Sequence, residues 1–555
     1  MTKRGILRGA SKLWNELVKA GDIYKKQYKG LYCSGCESFK TEKELDDGKC
    51  PNHPTREIEE VQEENYFFAL SKYRERVAEK IKNDEYQVVP KIRKNEIISW
   101  LKTAKDISFS RPRSTLPWGI PVPEDPEQVM YVWCDALSNY ITGAGYGTDK
   151  KIFRDRWPAD IHIIGKDILR FHAAFWPAML MSAKVALPKK LFVHGFILLK
   201  GAKMSKSTGN VVEPFEEILH YGVDPFRFYI VGAMQIDGDG EYSEDLVEER
   251  INTELVGNLS NFCYRVLSFA NKNFDSRVVS CKDNVSGELK AKYDAVREAY
   301  EGFDFKRTID EIMAASAIGN RYFQDNEPWK LVREDRDKAH KVVSLCVNMV
   351  RNLSIMMQPV MPEFALQLQS QLNAKGLFWK DIGFRFTGRI NEAQIILRKV
   401  EKLERFPLSI KVAVIESVED HPDADKLLVL GINLGSEKRQ LVAGLRGHYS
   451  RDELIGKKIC VITNLKYAKL RGVESQGMLL AGDDGKKIGL LTVDAKPGAQ
   501  IGIEGMKAND AQIDFKDFMK IELKAVKGRA TYGSRILKAG SEEIAVERVK
   551  DGKIR

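Results

Sequence analysis

Ile163-Ile164-Gly165-Lys166-Asp167-Ile168-Leu169-Arg170-Phe171-His172 begins as a short apolar strand, breaks at a glycine and runs on through Phe175-Trp176-Pro177. Similar apolar runs at Val129–Val132 and Leu191–Val193 lie on either side of it in sequence, separated by helical patterns. Short apolar runs alternating with helices predict a parallel α/β sheet over 128–232. Toward the N-terminus the pattern changes. Leu7, Leu13, Leu17 and Val18 fall near one face and predict a helix over 7–29. A Gly- and Cys-containing segment follows over 30–60, then charged helix over 63–107. A punctuated connection runs from Arg111-Pro112-Arg113 to Pro121-Val122-Pro123.

Beyond the sheet, 244–390 reads as helix throughout. Leu255, Leu259, Phe262 and Val266 keep helical spacing, as do Val343, Val347, Val350 and Leu353. Charged residues around Arg398–Arg405 suggest a linker. The period then shortens to that of strands, at Ile410 to Val414, Leu427–Ile432, Gln440–Val442, Lys458–Thr463 and Gln476–Leu480, which suits a small barrel of the oligonucleotide-binding type. Residues 506–555 are basic and weakly patterned.

The whole chain has 555 residues, enough for three or four domains, with 43% hydrophobic and 30% charged residues, an ordinary globular composition. A formal charge of +10 permits an acidic partner such as nucleic acid without requiring one. Eight cysteines are too sparse for a disulfide framework and indicate a reducing compartment. There is no apolar signal core and no run of about 18 apolar residues, so a cytoplasmic protein with no membrane span is expected.

Two constellations stand out. Cys33-Ser34-Gly35-Cys36 and Cys50-Pro51-Asn52-His53 place two ligand pairs, each spaced by two residues, as one tetrahedral zinc requires. Four protein ligands leave no open position, so the ion would be structural. Gly201-Ala202-Lys203-Met204-Ser205-Lys206-Ser207-Thr208-Gly209-Asn210 follows a strand ending at His194-Gly195 and makes a cationic loop suited to phosphate oxygens. By itself such a loop is usually a solvated basic segment.

Lys-Met-Ser-Lys-Ser after a strand resembles the nucleotide loop of class I aminoacyl-tRNA synthetases. Tyr131-Val132-Trp133-Cys134-Asp135-Ala136-Leu137-Ser138-Asn139-Tyr140 and the 163–172 stretch, with the cysteine pairs before and the lysine loop after, resemble the methionyl-tRNA synthetase family. The resemblance covers about residues 10–390 and is most specific over 128–210. It implies a multidomain α/β protein. Residues 1–115 would be an insertion bearing the zinc knuckle, and 116–243 part of a Rossmann nucleotide-binding fold. A helical anticodon-binding bundle would occupy 244–390 and a linker 391–408. A C-terminal β-barrel of the OB-fold type over 409–505 would precede a basic tail, 506–555, of unassigned role.

The resemblance also implies a site. Trp133, Ala136, Tyr140, Ile168 and His172 would hold the methionine side chain, whose soft thioether suits aromatic faces and one polar edge. Asp167 matches an acid near the substrates. Lys206 matches the lysine on the α-phosphate, and Lys203, Ser205 and Ser207 complete the ATP-binding loop, hinged at Gly201 and Gly209. ATP would arrive with magnesium as substrate. Asn261 and Arg265 match the pair that reads the anticodon and Trp329 its stacking partner. His421-Pro422-Asp423-Ala424-Asp425-Lys426-Leu427 and the 464–478 stretch resemble a tRNA-binding module in which Lys466, Lys469 and Arg471 would meet phosphate. Relatives use this module for a homodimer. Asp517-Phe518-Met519-Lys520-Ile521-Glu522-Leu523 resembles the opening strand of such a module.

None of the eight histidines forms the His-x-Gly-His motif of class I synthetases; the nearest string is His220-Tyr221-Gly222-Val223. This leads to the expectation that the first half of the nucleotide-binding sheet is missing. The chain would then need a companion N-terminal chain, and alone it would expose an apolar sheet edge and be poorly soluble. Two alternatives are a non-catalytic tRNA-binding protein built on a synthetase scaffold and a class I synthetase for leucine or cysteine.

Overall fold

The computed structural model describes residues 1–555 except 1–2, 36–37, 41, 52–55, 200, 205–210, 282–284, 403, 505 and 510–511. Contacts divide the chain into two compact units, Met1–Val400 and Glu401–Arg555.

Helix α1 (Lys3–Lys19) ends well short of the predicted 29. The stop is a Schellman turn. Gly21 takes φ +69°, its N–H donates to the Val18 carbonyl at 2.9 Å, and the Asp22 N–H donates to Leu17 at 3.1 Å. The chain then leaves as β1 (Ile23–Cys33), paired antiparallel with β2 (Ile58–Phe68) from Ile23↔Phe68 to Cys33↔Ile58. β1 is rich in Lys and β2 in Glu, and such charged residues read as helix surface; tertiary pairing overrides that pattern. The charged helix expected over 63–107 is likewise β2 followed by two shorter helices, Arg74–Lys82 and Lys91–Leu101, with strand β3 (Gln87–Val89) between them.

Val129–Val132 also departs from the sequence reading. It lies in and after β4 (Asp125–Met130), the centre of an antiparallel three-stranded sheet with Ser110–Pro112 and Pro121–Val122. A tight return at Glu124, φ +67°, folds the chain back on itself. The strand feeds α2 (Val132–Gly143). Among the described residues the parallel sheet has three strands in the order β3, β6 (Lys190–His194), β5 (His162–Gly165). β5 is an edge strand, and its Ile163 is 62% exposed. Helix α3 (Trp176–Ser182) joins α1 and β2 in one core, where Trp14 stacks on Phe109 at 5.7 Å beside Phe68 and Trp176.

After β6, strand β7 (Ile197–Leu199) pairs antiparallel with β8 (Ala202–Lys203) and parallel with β9 (Gly240–Tyr242). Helices dominate 244–372, including α4 (Asn261–Asn273), α5 (Phe305–Asp325), α6 (Pro328–Glu334) and α7 (Arg336–Met357), around a core of Leu259, Phe262, Val266, Val343, Val347 and Leu353. Residues 373–399 carry little regular structure among the described residues.

In the second unit the expected strands form. β10 (Ile410–Asp420), β11 (Leu428–Asn433), β12 (Lys438–Ala443) and β13 (Lys458–Ile462) lie in one antiparallel sheet in the order β12-β11-β10-β13, extended by Met478–Leu479. β14 (Ala468–Leu470) and β15 (Val473–Ser475) form a separate hairpin. The tail is not unstructured. Residues 515–518 form a helical turn where the sequence suggested a strand. β16 (Leu523–Val526) then pairs with Arg529–Tyr532 and with Gly552–Ile554, which reaches Ala481–Asp483. Its strands are two to four residues long and turn on left-handed residues such as Lys527 (φ +50°) and Gly528 (φ +74°), too short to show a period. Tail residues Leu523, Ala530, Val546 and Ile554 share a core with Phe406, Ile410 and Val412.

Candidate active site and RNA-binding surfaces

Helix α2 buries Cys134, Leu137, Ser138 and Ile141. Trp133, Ala136 and Tyr140, spaced by three and four, therefore share the adjacent face. Opposite them the chain leaves β5 through a 3₁₀ turn at Lys166–Ile168 and enters a π-helical turn over Phe171–Phe175 before α3. Such turns re-aim side chains and recur at functional sites. The Trp133 indole stacks on Phe171 at 3.9 Å and 9°, and meets the edge of His172 at 6.0 Å. Tyr140 lies 4.2 Å from the His162 ring and 6.1 Å from Trp176.

His172 is buried, and burial pulls its pKa below the ordinary value, partly offset by its contact with the Ile168 carbonyl. A neutral ring whose Nδ1–H donates to the Ile168 carbonyl at 3.0 Å presents Nε2 as an acceptor for the Tyr140 hydroxyl at 2.9 Å. The Tyr86 hydroxyl fixes the same turn by donating to the His172 carbonyl at 2.8 Å. His162 is buried and neutral too, its pKa pushed down to about 4 by burial and by His172. Burial raises the Asp135 carboxyl on the first turn of α2 to about 6. The structure thus brings Trp133, Tyr140 and His172 together as expected, with Ile168 joined through its carbonyl and Ala136 on the same helix face. Phe171 and His162 were missed: one aromatic in an aromatic-rich stretch carries no distinguishing signal.

Asp167 and Lys203 also meet, with Nζ to Oδ2 at 3.5 Å. Lys203 sits on the short β7–β8 hairpin, which turns at Gly201, φ +73°. Ser205, Lys206, Ser207 and Gly209 lie outside the described residues, as do Cys36 and His53. Cys33, at the end of β1, and Cys50 are wholly buried. Among the described residues no three His, Cys, Asp or Glu side chains converge as a metal site.

On α4, Asn261 and Arg265 are one turn apart and exposed. The Arg265 guanidinium lies over the Phe323 ring at 5.4 Å, and Phe323 touches Trp329 at 6.1 Å. Phe323 thereby links Arg265 to Trp329, a contact its sequence position does not reveal. In the second unit, Arg471 (φ +44°) and Gly472 (φ +91°) turn the β14–β15 hairpin and leave Lys469 and Arg471 exposed. His421 clamps the hairpin: Nε2–H donates to the Leu470 carbonyl at 3.0 Å while Nδ1 accepts the Asp423 N–H at 3.0 Å. Lys466 pairs with Asp514 of the tail at 3.0 Å. Among the described residues no helix is long and apolar enough to cross a membrane.

Three families match this chain. The family described as tRNA synthetases class I (M) matches residues 6–62 and 52–267. The anticodon binding domain of methionyl tRNA ligase matches 276–393, and the putative tRNA binding domain matches 410–500. A methionine–tRNA ligase of Thermotoga maritima is 37% identical over 525 residues, covering 88% of this chain and 83% of the relative. One of Caldanaerobacter subterraneus subsp. tengcongensis is 36% identical over 528 residues, covering 87% and 82%. The methionyl-tRNA synthetase of Mycobacterium tuberculosis, solved with methionyl-adenylate, superposes with a TM-score of 0.65 at 35% identity over 70% of this chain and 79% of that one. These spans give no support to a chain that lacks half its catalytic fold and needs a companion. Nor do they support the readings as a non-catalytic scaffold or as a leucine or cysteine enzyme. A class I family matched from residue 6 to 267, with curated relatives of one activity aligned over more than four-fifths of their length, places this chain in the methionyl-tRNA synthetase family.

Proposed function

We propose that this chain activates methionine with ATP, accompanied by magnesium, and transfers it to tRNA-Met, with the residues singled out above in the following roles. The observation that carries the reading is the aromatic pocket of Trp133, Tyr140 and His172 beside the Asp167–Lys203 pair. Trp133, Ala136, Ile168 and Tyr140 enclose the thioether, and His172, held neutral, fixes the Tyr140 hydroxyl. The methionine carboxylate attacks the α-phosphorus in line and pyrophosphate leaves. Lys206, supported by Lys203, Ser205 and Ser207, offsets the charge that builds on the phosphate oxygens. The terminal ribose hydroxyl of the tRNA then attacks the adenylate carbonyl and AMP departs. Asn261, Arg265 and Trp329 read unstacked anticodon bases, and Lys466, Lys469 and Arg471 contact phosphate. Pairing of two copies through 409–505 belongs to the same reading. Titration of the purified chain with methionine, followed by the fluorescence of its pocket tryptophans, tests it. Saturable quenching by methionine and not by leucine or cysteine is expected, and preference for either competitor overturns the assignment.

Cys33, Cys36, Cys50 and His53 supply the three thiolates and one imidazole that a closed structural zinc takes, and both described thiols are buried, as ligands of such an ion should be. The zinc would tie the turn after β1 to the segment around residue 50. Cys50→Ser is expected to reduce bound zinc from about one ion per chain to under a tenth by elemental analysis. Undiminished zinc would assign the ion to other ligands.

A further inference from the structure

Phe196, two residues beyond β6, faces two ammonium groups: Lys203 Nζ lies 4.2 Å and Lys166 Nζ 4.7 Å from its ring centroid. Each lysine has its own carboxylate. Lys203 pairs with Asp167, and Lys166 Nζ lies 2.7 Å from Asp239 Oδ2. Asp239 is doubly engaged, because its Oδ1 also accepts the Phe196 N–H at 2.8 Å. The backbone here admits no slack: a Cβ on Gly195 would stand 2.0 Å from the Gly238 carbonyl oxygen. Parallel pairing of Ile197 with Gly240 continues the contact into β7 and β9.

Two observations set this arrangement apart from an ordinary surface ion pair. Lys166 follows β5 directly and Phe196 follows β6, so the cluster lies at the carboxyl ends of parallel strands, where open α/β sheets bind ligands. Two ammonium groups are also gathered against one ring, each offset by a side-chain carboxylate, Asp167 or Asp239, with which an incoming anion would compete. Lys166 carries three donors and engages one carboxylate, so donors remain for an anion, though the Asp239 charge opposes its approach. Burial pushes the Asp239 carboxyl up, but the Lys166 ammonium and the Phe196 N–H together bring it below the ordinary range. It therefore remains a charged counter-ion.

We propose that Lys166 is a further polyphosphate-binding residue beside Lys203, and that Asp239 is its positioning residue, a counter-charge that holds the Lys166 ammonium at the Phe196 ring and competes with the polyphosphate for it. The inference rests on the reading of this site as a nucleotide site and extends it to residues that reading does not use.

Opposite signs make the test decisive. Binding of ATP with magnesium, and of inorganic pyrophosphate, is measured calorimetrically at fixed ionic strength. Lys166→Met is expected to raise both dissociation constants about tenfold, the loss of one charge-assisted contact. Asp239→Asn keeps an acceptor for the Phe196 N–H and removes the competing charge, so it is expected to lower them about threefold. A gain in affinity cannot come from misfolding. In the Lys166→Met background Asp239→Asn is expected to add nothing, because its effect passes through that ammonium. Unchanged affinity of Lys166→Met overturns the proposal while leaving the nucleotide site standing. Weaker binding in Asp239→Asn reduces the pair to a structural ion pair and also overturns it. If the unsubstituted chain binds neither ATP nor pyrophosphate, the functional reading falls and this inference falls with it.

Discussion

Trp133→Ala is expected to weaken methionine binding about a hundredfold, the equivalent of about 2.7 kcal/mol. The indole is braced parallel to Phe171 at 3.9 Å, so its plane is fixed before any ligand arrives. Removing it takes away the face on which a thioether chain lies, and the stacked Phe171 cannot follow without leaving its π-helical turn. Trp133→Phe retains an aromatic face and is expected to lose less than about fivefold. Equilibrium dialysis with labelled methionine reads both, and a change below threefold in the alanine variant would show that the indole turns away from the ligand. The pH profile adds a second readout. Because burial holds the His172 pKa below its ordinary value, the ring stays neutral through the physiological range and affinity should be flat there. On acidification Nε2 gains a proton, ceases to accept from Tyr140, and affinity falls. A profile rising toward acid would contradict the assigned hydrogen-bond direction.

Trp133, Ala136, Tyr140, Ile168 and His172 are singled out by the resemblance of the 131–140 and 163–172 stretches to a known family, since by themselves such aromatics read as core; the structure sets Trp133, Tyr140 and His172 side by side. Phe171, which braces the indole, was not legible, since nothing in the sequence separates a bracing aromatic from a core one. The failures elsewhere have physical causes. The expected helix runs past the end of α1 because Lys25, Lys26 and Lys29 of β1 resemble a solvated helix face, whereas the deciding signal is a single glycine, Gly21, that adopts φ +69°. Val129–Val132 looks like a buried parallel strand, yet a tight turn at Glu124 makes β4 part of an antiparallel sheet, and strand direction is set by such turns and not by hydropathy. The tail failed for a third reason. Its strands contribute at most two residues each to a core shared with residues 406–503, so no local segment carries a pattern of its own. Asp239, Lys166 and Phe196 were invisible as a group, because only the strand ends of the folded sheet bring them together.

Asp22→Ala is expected to destabilise the first unit by about 3 kcal/mol, although Asp22 lies in a turn that the sequence reading passed over. The side chain is wholly buried at the point where the Schellman turn hands the chain to β1. Its carboxylate accepts from Lys72 Nζ at 2.5 Å, from the Ser182 hydroxyl at 2.6 Å and from the Tyr73 hydroxyl, so three segments converge on one anion. Removing it leaves two hydroxyls facing each other without a shared acceptor, which costs more than the lost Coulomb attraction to the half-exposed Lys72. The sign of the pH dependence follows from the same contacts. Burial raises the Asp22 pKa, but hydrogen bonds from Lys72, Ser182 and Tyr73 outweigh it and the net shift is downward. A carboxyl with a lowered folded-state pKa contributes its stability fully above the unfolded value, and that contribution is lost as pH falls through the folded one. Denaturant unfolding followed by the fluorescence of Trp14 and Trp176, both buried in the same core, should therefore show the full difference between Asp22→Ala and the unsubstituted chain at pH 7. The gap should narrow below about pH 4, as the native carboxylate takes up its proton. A gap independent of pH would mean that packing of the turn, and not the charge at its centre, holds α1, β1 and α3 together.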